Sequence, residues 1–232
     1  MYFGHFAVAT ALKASKPNVP ALPLFIGAGV IDIVNGLMII GGADTVRGNL
    51  ETLPYLYFDL VFIDWDHSLL MAAVWSGLFA WLCYHFYKSK NIAFWAFACS
   101  MLHWLADVPV HNQDLALYPY SDIKFGWGWW EKYGEWSWGI EVVFMLGLLA
   151  FAWWRSAKNQ DKVNLTWQSL FLCATSLQMS PWLSPMKYVA TLPDSIAYVI
   201  HGFLVTVGYI IPPLILVWMY ARQNKNVKWY MA

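Results

Sequence analysis

The segment HWLADVPVHNQDLALYP, residues 103–119, spaces His103, Asp107 and His111 four residues apart. Positions i and i+4 share one face of a helix, so His103 and Asp107 present an imidazole and a carboxylate side by side. Neutral imidazole nitrogen and carboxylate oxygen together form a donor set for Zn²⁺, Fe²⁺ or Mn²⁺. Pro109 interrupts the pattern. It lacks a backbone donor and disfavours helix at Val108, so helical geometry alone does not place His111.

These groups close an apolar run, where ionisable side chains are costly unless they face a protein interior. Other ionisable groups in or beside apolar segments are His5, Asp32, Asp66, His67, Glu141 and His201. Hydropathy defines the elements that must carry them. The chain has 232 residues, 59% hydrophobic and 12% charged, about half the charged fraction of a soluble domain. Runs approaching the roughly 20 apolar residues that cross a bilayer recur at 22–42, 67–87, 91–110, 138–154, 165–183 and 196–221. A shorter apolar helix, 2–12, precedes them and lacks the basic n-region of a signal peptide, so it is expected to be retained. The expected fold is all-α: a polytopic membrane helical bundle of six transmembrane helices plus a short N-terminal membrane-embedded helix. It forms a single integral membrane domain over 1–232.

Basic residues orient this layout. Lys13, Lys16, Lys88, Lys90, Arg155, Lys158, Lys162, Arg222, Lys225 and Lys228 fall on one side, against Arg47, Lys124, Lys132 and Lys187 on the other. The bias places the C-terminus and the loops 13–20, 88–90 and 155–164 in the cytoplasm. The outer loops 43–66 and 111–137 are acidic, and KFGWGWWEKYGEWSWG (124–139) is aromatic enough to lie on the interface or to cover a site. His67, His103, Asp107, Glu141 and His201 then share the outer half of the bundle, with Asp32 near mid-depth, so one polar cluster can collect ligands from several helices. Zero net charge and the lack of a basic tract argue against nucleic acid as a partner. Cys83, Cys99 and Cys173 stand apart in apolar segments and read as packing residues. His85, in a Tyr-His-Phe-Tyr setting, reads as structural, and His201 as an interhelical hydrogen-bond partner. Asp64 and Asp66 are either solvated loop acids or supports for a ligand.

The order of motifs is distinctive: Gly4-His5, Asp32 in the first full span, HSLLM at 67–71, HWLADVPVHNQDLALYP at 103–119, a Gly/Trp loop, and Glu141. Over about residues 1–150 it resembles a family of small bacterial inner-membrane proteins described as metal-dependent hydrolases. The resemblance implies a His/Asp metal centre of His5, Asp32, His67, His103, Asp107 and His111, with Asp114 or Glu141 nearby. Asp66 departs from the family pattern, where a small polar residue precedes the His-Ser pair. Six ligands exceed the three or four of one catalytic zinc, so the expected cofactor is one or two divalent ions, Zn foremost, with Fe or Mn as alternatives.

The expected function is metal-dependent hydrolysis of an amphipathic or lipid-like substrate at the outer (periplasmic) leaflet of the cell inner membrane, with Glu141 or Asp114 as general base. A membrane non-haem iron oxygenase is the second reading, although HxxxH and HxxHH boxes are lacking. A third is a non-catalytic, metal-stabilised subunit of a homo-oligomer or larger membrane complex. An iron spectrum with dioxygen-dependent turnover distinguishes the second; co-purifying partners at fixed stoichiometry distinguish the third.

Overall fold

A computed structural model describes residues 1–52, 54–158 and 163–223. Lys162, Lys225 and Lys228, which enter the expected charge bias, lie outside the described residues. The chain begins with α1 (Tyr2–Ser15), α2 (Ala21–Gly27) and α3 (Val30–Ile40), followed by strands β1 (Thr45–Gly48) and β2 (Phe58–Phe62). Next come the single turn α4 (Asp64–His67), α5 (Leu69–Tyr87) and α6 (Lys90–Asp107). The short pair β3 (Leu115–Ala116) and β4 (Lys124–Phe125) leads into α7 (Trp129–Tyr133) and α8 (Glu135–Lys158). The chain then forms α9 (Thr166–Gln178), α10 (Met186–Val189), α11 (Asp194–Gly208) and α12 (Ile211–Ala221).

The protein is mostly helical, as expected. Among the described residues, three helical stretches are long and apolar enough to cross a membrane: Leu69–Tyr87, Glu135–Lys158 and Asp194–Ala221. A fourth is available if α2 and α3, bent by 46° at Ala28–Gly29, count as one broken span. The sequence expectation was six. The expected span 91–110 corresponds to α6, and 165–183 to α9 with only 13 residues, well short of the roughly 20 that cross hydrocarbon. The chain leaves α9 through turns over 179–184, which end at Pro185.

The outer faces of the long helices are apolar and exposed. Leu70, Leu78, Trp81 and Leu82 on α5, Val143 and Leu146 on α8, and Phe203 on α11 all stand on this surface. Contiguous apolar surface on this scale belongs against lipid or another protein. Inside lies α1, with Phe3, Phe6, Ala7 and Ala9 fully buried. It packs along α8 and against α2 and α6. The expected short helix therefore forms the bundle's core.

The loops 43–66 and 111–137 are more ordered than the sequence reading anticipated. β1 and β2 pair antiparallel, Val46 opposite Leu60, and Val46 and Phe58 bury themselves against Ile39, Val189 and Ala197. Acidic neighbours masked the β-branched and aromatic character of TVRG and FDLVF. In the second loop, Trp127 N, Gly128 N and Trp130 N donate to the carbonyls of Val108, His111 and Val110. Gly126 permits this close pass: its φ is +129°, and a Cβ there would lie 2.5 Å from both Gln113 N and His111 O.

Candidate metal centre

α6 carries His103 and Asp107 on one face, with Nε2 of His103 3.1 Å from Oδ2 of Asp107. The helix stops at Asp107, as the following proline predicts. His111 still closes a turn, its N–H donating to the Asp107 carbonyl at 3.0 Å. The opposite side of the cluster comes from α3 and α4. Asp32 Oδ2 lies 3.3 Å from His103 Nε2, and Asp32 Oδ1 lies 3.4 Å from His67 Nε2. His67 Nε2 is 3.9 Å from Asp107 Oδ2. From α1, His5 stacks on His103 with ring centroids 3.7 Å apart, and its Nε2 is 3.2 Å from Asp107 Oδ1. The Met1 amino group donates to the same Asp107 oxygen at 2.6 Å. Asp107 therefore faces groups from α1 and α4 as well as its own helix.

Two overlapping groups have the spacing to hold a metal ion: His5, Asp32 and His103, and His67, His103 and Asp107. Four tetrahedral donors at about 2.0–2.1 Å from an ion stand about 3.3–3.4 Å from one another. The observed donor separations of 3.1–3.9 Å bracket that value.

Proton placement sharpens the fit. His103 Nδ1 lies 2.7 Å from the carbonyl oxygen of Ala28. A carbonyl only accepts, so Nδ1 carries the hydrogen and Nε2 of the neutral ring bears a lone pair. That lone pair points at two carboxylate oxygens and has no hydrogen-bond partner. With the ring neutral, these acceptors repel one another in a buried site unless a cation lies between them; a proton on Nε2 would meet the same need. The bend between α2 and α3 leaves the Ala28 carbonyl available for this contact. His67 is fixed in the same sense, since Asp66 Oδ2 lies 2.8 Å from its Nδ1 while Asp66 Oδ1 accepts its backbone N–H at 2.9 Å. Asp66, left open by the sequence, orients a candidate ligand in the carboxylate–histidine manner common at metal sites. Trp104 Nε1 donates to the His67 carbonyl at 2.7 Å and ties α4 to α6.

No protein-family profile, curated protein or solved structure matches this chain.

The remaining sequence candidates surround this core. His111 is in neither group; its ring lies 5.6 Å from that of His67, and its Nδ1 is held by Asp114 Oδ1 at 2.8 Å. Glu141 is buried, accepting from Tyr55 Oη at 2.8 Å and Trp130 Nε1 at 2.9 Å. Burial and then the Glu141 carboxylate push the Tyr55 phenol well above its ordinary value, so it remains a donor. A cavity of about 250 Å³ adjoins the cluster, with Asp32, His67, Asp107 and His111 in its wall. Tyr55 and Trp130 also line it, whereas Glu141 and Asp114 do not. Glu141 therefore meets the cavity through Tyr55, and Asp114 through His111. Sequence reasoning missed Tyr55 and Asn35, another cavity-lining residue. Only Asn35, three residues after Asp32, carried a usable signal, since i and i+3 share a helical face.

Asp44, beside this site between α3 and β1, is buried, and no donor reaches its Oδ2. Burial, reinforced by the Asp66 charge, pushes its carboxyl up to about 8. A carboxyl raised in the folded state holds its proton where the unfolded chain has released it. Its stabilising contribution is complete below the ordinary carboxylate value and is lost as pH rises towards 8. Wild-type thermal midpoints in detergent should therefore fall between pH 5 and 8, and Asp44→Asn should flatten that fall. Parallel curves for the two proteins would show that Asp44 does not titrate in this way.

Proposed function

We propose that this protein is a membrane-embedded metal-dependent hydrolase acting on an amphipathic substrate near the outer leaflet of the inner membrane. One observation carries the reading: the His103 lone pair, fixed by the Ala28 carbonyl, faces Asp32 and Asp107 at metal-ligand spacing beside a cavity. In this reading α6 and α9 complete the bundle of six membrane segments around α1. The basic loops face the cytoplasm, and the two hairpins with α7 cover the site from the periplasmic side. His5, Asp32, His67, His103 and Asp107 hold one or two ions, Zn²⁺ foremost, and His111 stands at the cavity wall.

A bound divalent ion lowers the pKa of its water to about 7 and polarises the oxygen of a scissile ester or phosphoryl group. The chain supplies the rest. Asp32, whose side chain is 13% exposed while Asp107 is 1% exposed, is the carboxylate most open to the cavity. Within this reading it is the ligand that meets the substrate, and the His111–Asp114 pair at the cavity wall is placed to accept a proton as water attacks. Tyr55, held by Glu141, presents its phenol edge to the same space, and Asp114 orients His111.

Purified protein should contain bound metal by elemental analysis. Prolonged chelation should abolish hydrolysis of short-chain chromogenic esters or phosphodiesters, and added Zn²⁺ or Mn²⁺ should restore it. Metal-free protein as isolated, or turnover indifferent to chelation, ends this reading.

A further inference from the structure

The cavity has a second polar region, away from the metal candidates. Asn35 lies on α3 three residues after Asp32, about 4.5 Å further along the helix axis. Its side chain is 5% exposed, and its Nδ2 has no hydrogen-bond partner. Across from it on α11, His201 is 4% exposed and its Nδ1 is likewise unpartnered. Close contact between the backbones of Gly36 and Gly202 brings α3 and α11 together next to these two residues. Both line the cavity that holds Asp32, His67 and Asp107. Phe58 packs on the His201 ring at 4.2 Å and helps to fix it. The intervening wall is apolar, with Leu60, Met186, Leu204 and Val205 among its residues.

An amide N–H₂ is a donor only, and burying it unmatched is unfavourable. No interhelical partner satisfies Asn35 Nδ2 or His201 Nδ1 among the described residues, although the sequence reading assigned His201 such a role. The cavity volume, about 250 Å³, lies just below the roughly 300–1,000 Å³ of pockets that enclose drug-sized molecules. It admits a head-group-sized fragment, and a long chain must extend beyond it.

We propose that Asn35 and His201 form a substrate subsite that binds a second, non-reacting acceptor oxygen, one helical turn from the metal centre. The matching ligand is an amphiphile with two carbonyl-type oxygens separated by a short apolar spacer, as in a glycerol diester. One oxygen lies at the Asp32–His103–Asp107 cluster, and the other accepts from Asn35 Nδ2 and, in the Nδ1–H tautomer, from His201 Nδ1. This subsite rests on the reading of the cavity as a substrate site. It does not depend on which bond is broken.

Equilibrium binding in detergent tests it, with 1,2-dihexanoylglycerol as the diester probe and hexyl hexanoate as the monoester. Wild type should bind the diester about tenfold more tightly than the monoester, the worth of one or two net hydrogen bonds. Asn35→Leu and, independently, His201→Phe should each remove most of that preference while leaving monoester affinity and metal content unchanged. A wild type without the preference, or a folded variant that retains it in full, overturns the subsite. Hydrolysis of the diester is scored separately. Selective binding without turnover would leave the subsite standing and count against the hydrolase reading.

Discussion

Asp107→Ala should leave the purified protein with less than about a tenth of the wild-type metal. Among the candidate ligands, Asp107 is the carboxylate that faces three imidazoles: Oδ1 faces His5, and Oδ2 faces His103 and His67. Removing it leaves Asp32 as the only carboxylate among the remaining candidate ligands, with His5, His67 and His103. Loss of a group that merely supports a ligand commonly weakens metal binding about 10–100-fold, and loss of a shared ligand should exceed that range. Elemental analysis after gel filtration in metal-free buffer provides the measurement. Asp107→Asn, which keeps the shape and removes the charge, should also lose most of its metal. Asp122→Ala, exposed between β3 and β4, should match wild type. Full occupancy in Asp107→Ala would remove Asp107 from the centre and with it the support for a two-ion site.

Gly202→Leu should have the largest effect on the fold. A Cβ at position 202 would sit 2.6 Å from the Gly36 carbonyl oxygen and 2.9 Å from Ile40 Cγ1, and one at Gly36 would collide with Thr206 and the Gly202 carbonyl. Paired small residues of this kind let membrane helices approach backbone to backbone. Overpacking typically costs about 1–3 kcal/mol, and backbone against backbone cannot relax by side-chain rotation, so the upper end applies. For a chain of this size, about 3 kcal/mol corresponds to about 6–12 °C in the unfolding midpoint. Gly77→Leu on α5, where a Cβ meets nothing within 4 Å, is the matched control and should shift the midpoint little. Equal midpoints for the two variants would show that α3 and α11 do not depend on this contact. Because His201 precedes Gly202, the same substitution should also weaken binding of the diester probe.

The parts of this arrangement that were legible in the sequence are those governed by local period. His103 and Asp107 met as i and i+4 neighbours on α6, and hydropathy alone located α5, α8 and the α11–α12 stretch. The expected spans match the helices less closely where the chain turns early. Residues 179–184 after α9 fold into turns that no periodicity distinguishes from a continuing helix, and α2 and α3 part at a Gly-Ala-Gly step inside an unbroken apolar run. The convergence of His5, Asp32 and His67 on α6 followed from motif order and shared depth, with no local pattern to specify contact. Two determinants were beyond sequence reasoning. The Ala28 carbonyl that sets the His103 tautomer is a backbone atom, invisible to residue type. The Tyr55–Glu141–Trp130 node joins Glu141 to residues 86 and 11 positions away, and nothing in their immediate neighbourhoods announces the pairing.

The enclosure of α1 also fixes an order of assembly. Ser15 ends α1 and Glu135 begins α8, so the ribosome adds residues 16–134 between them. Until α8 arrives, Phe3 and Phe6 lack one wall of their packing, and His5 waits for Asp107 on α6. Contacts so distant along the chain close late and slowly. The earlier helix therefore lacks its full packing while more than half of the protein is made. A metal held by His5 together with Asp107 could be bound only after that interval, because those residues do not meet while α1 is still waiting.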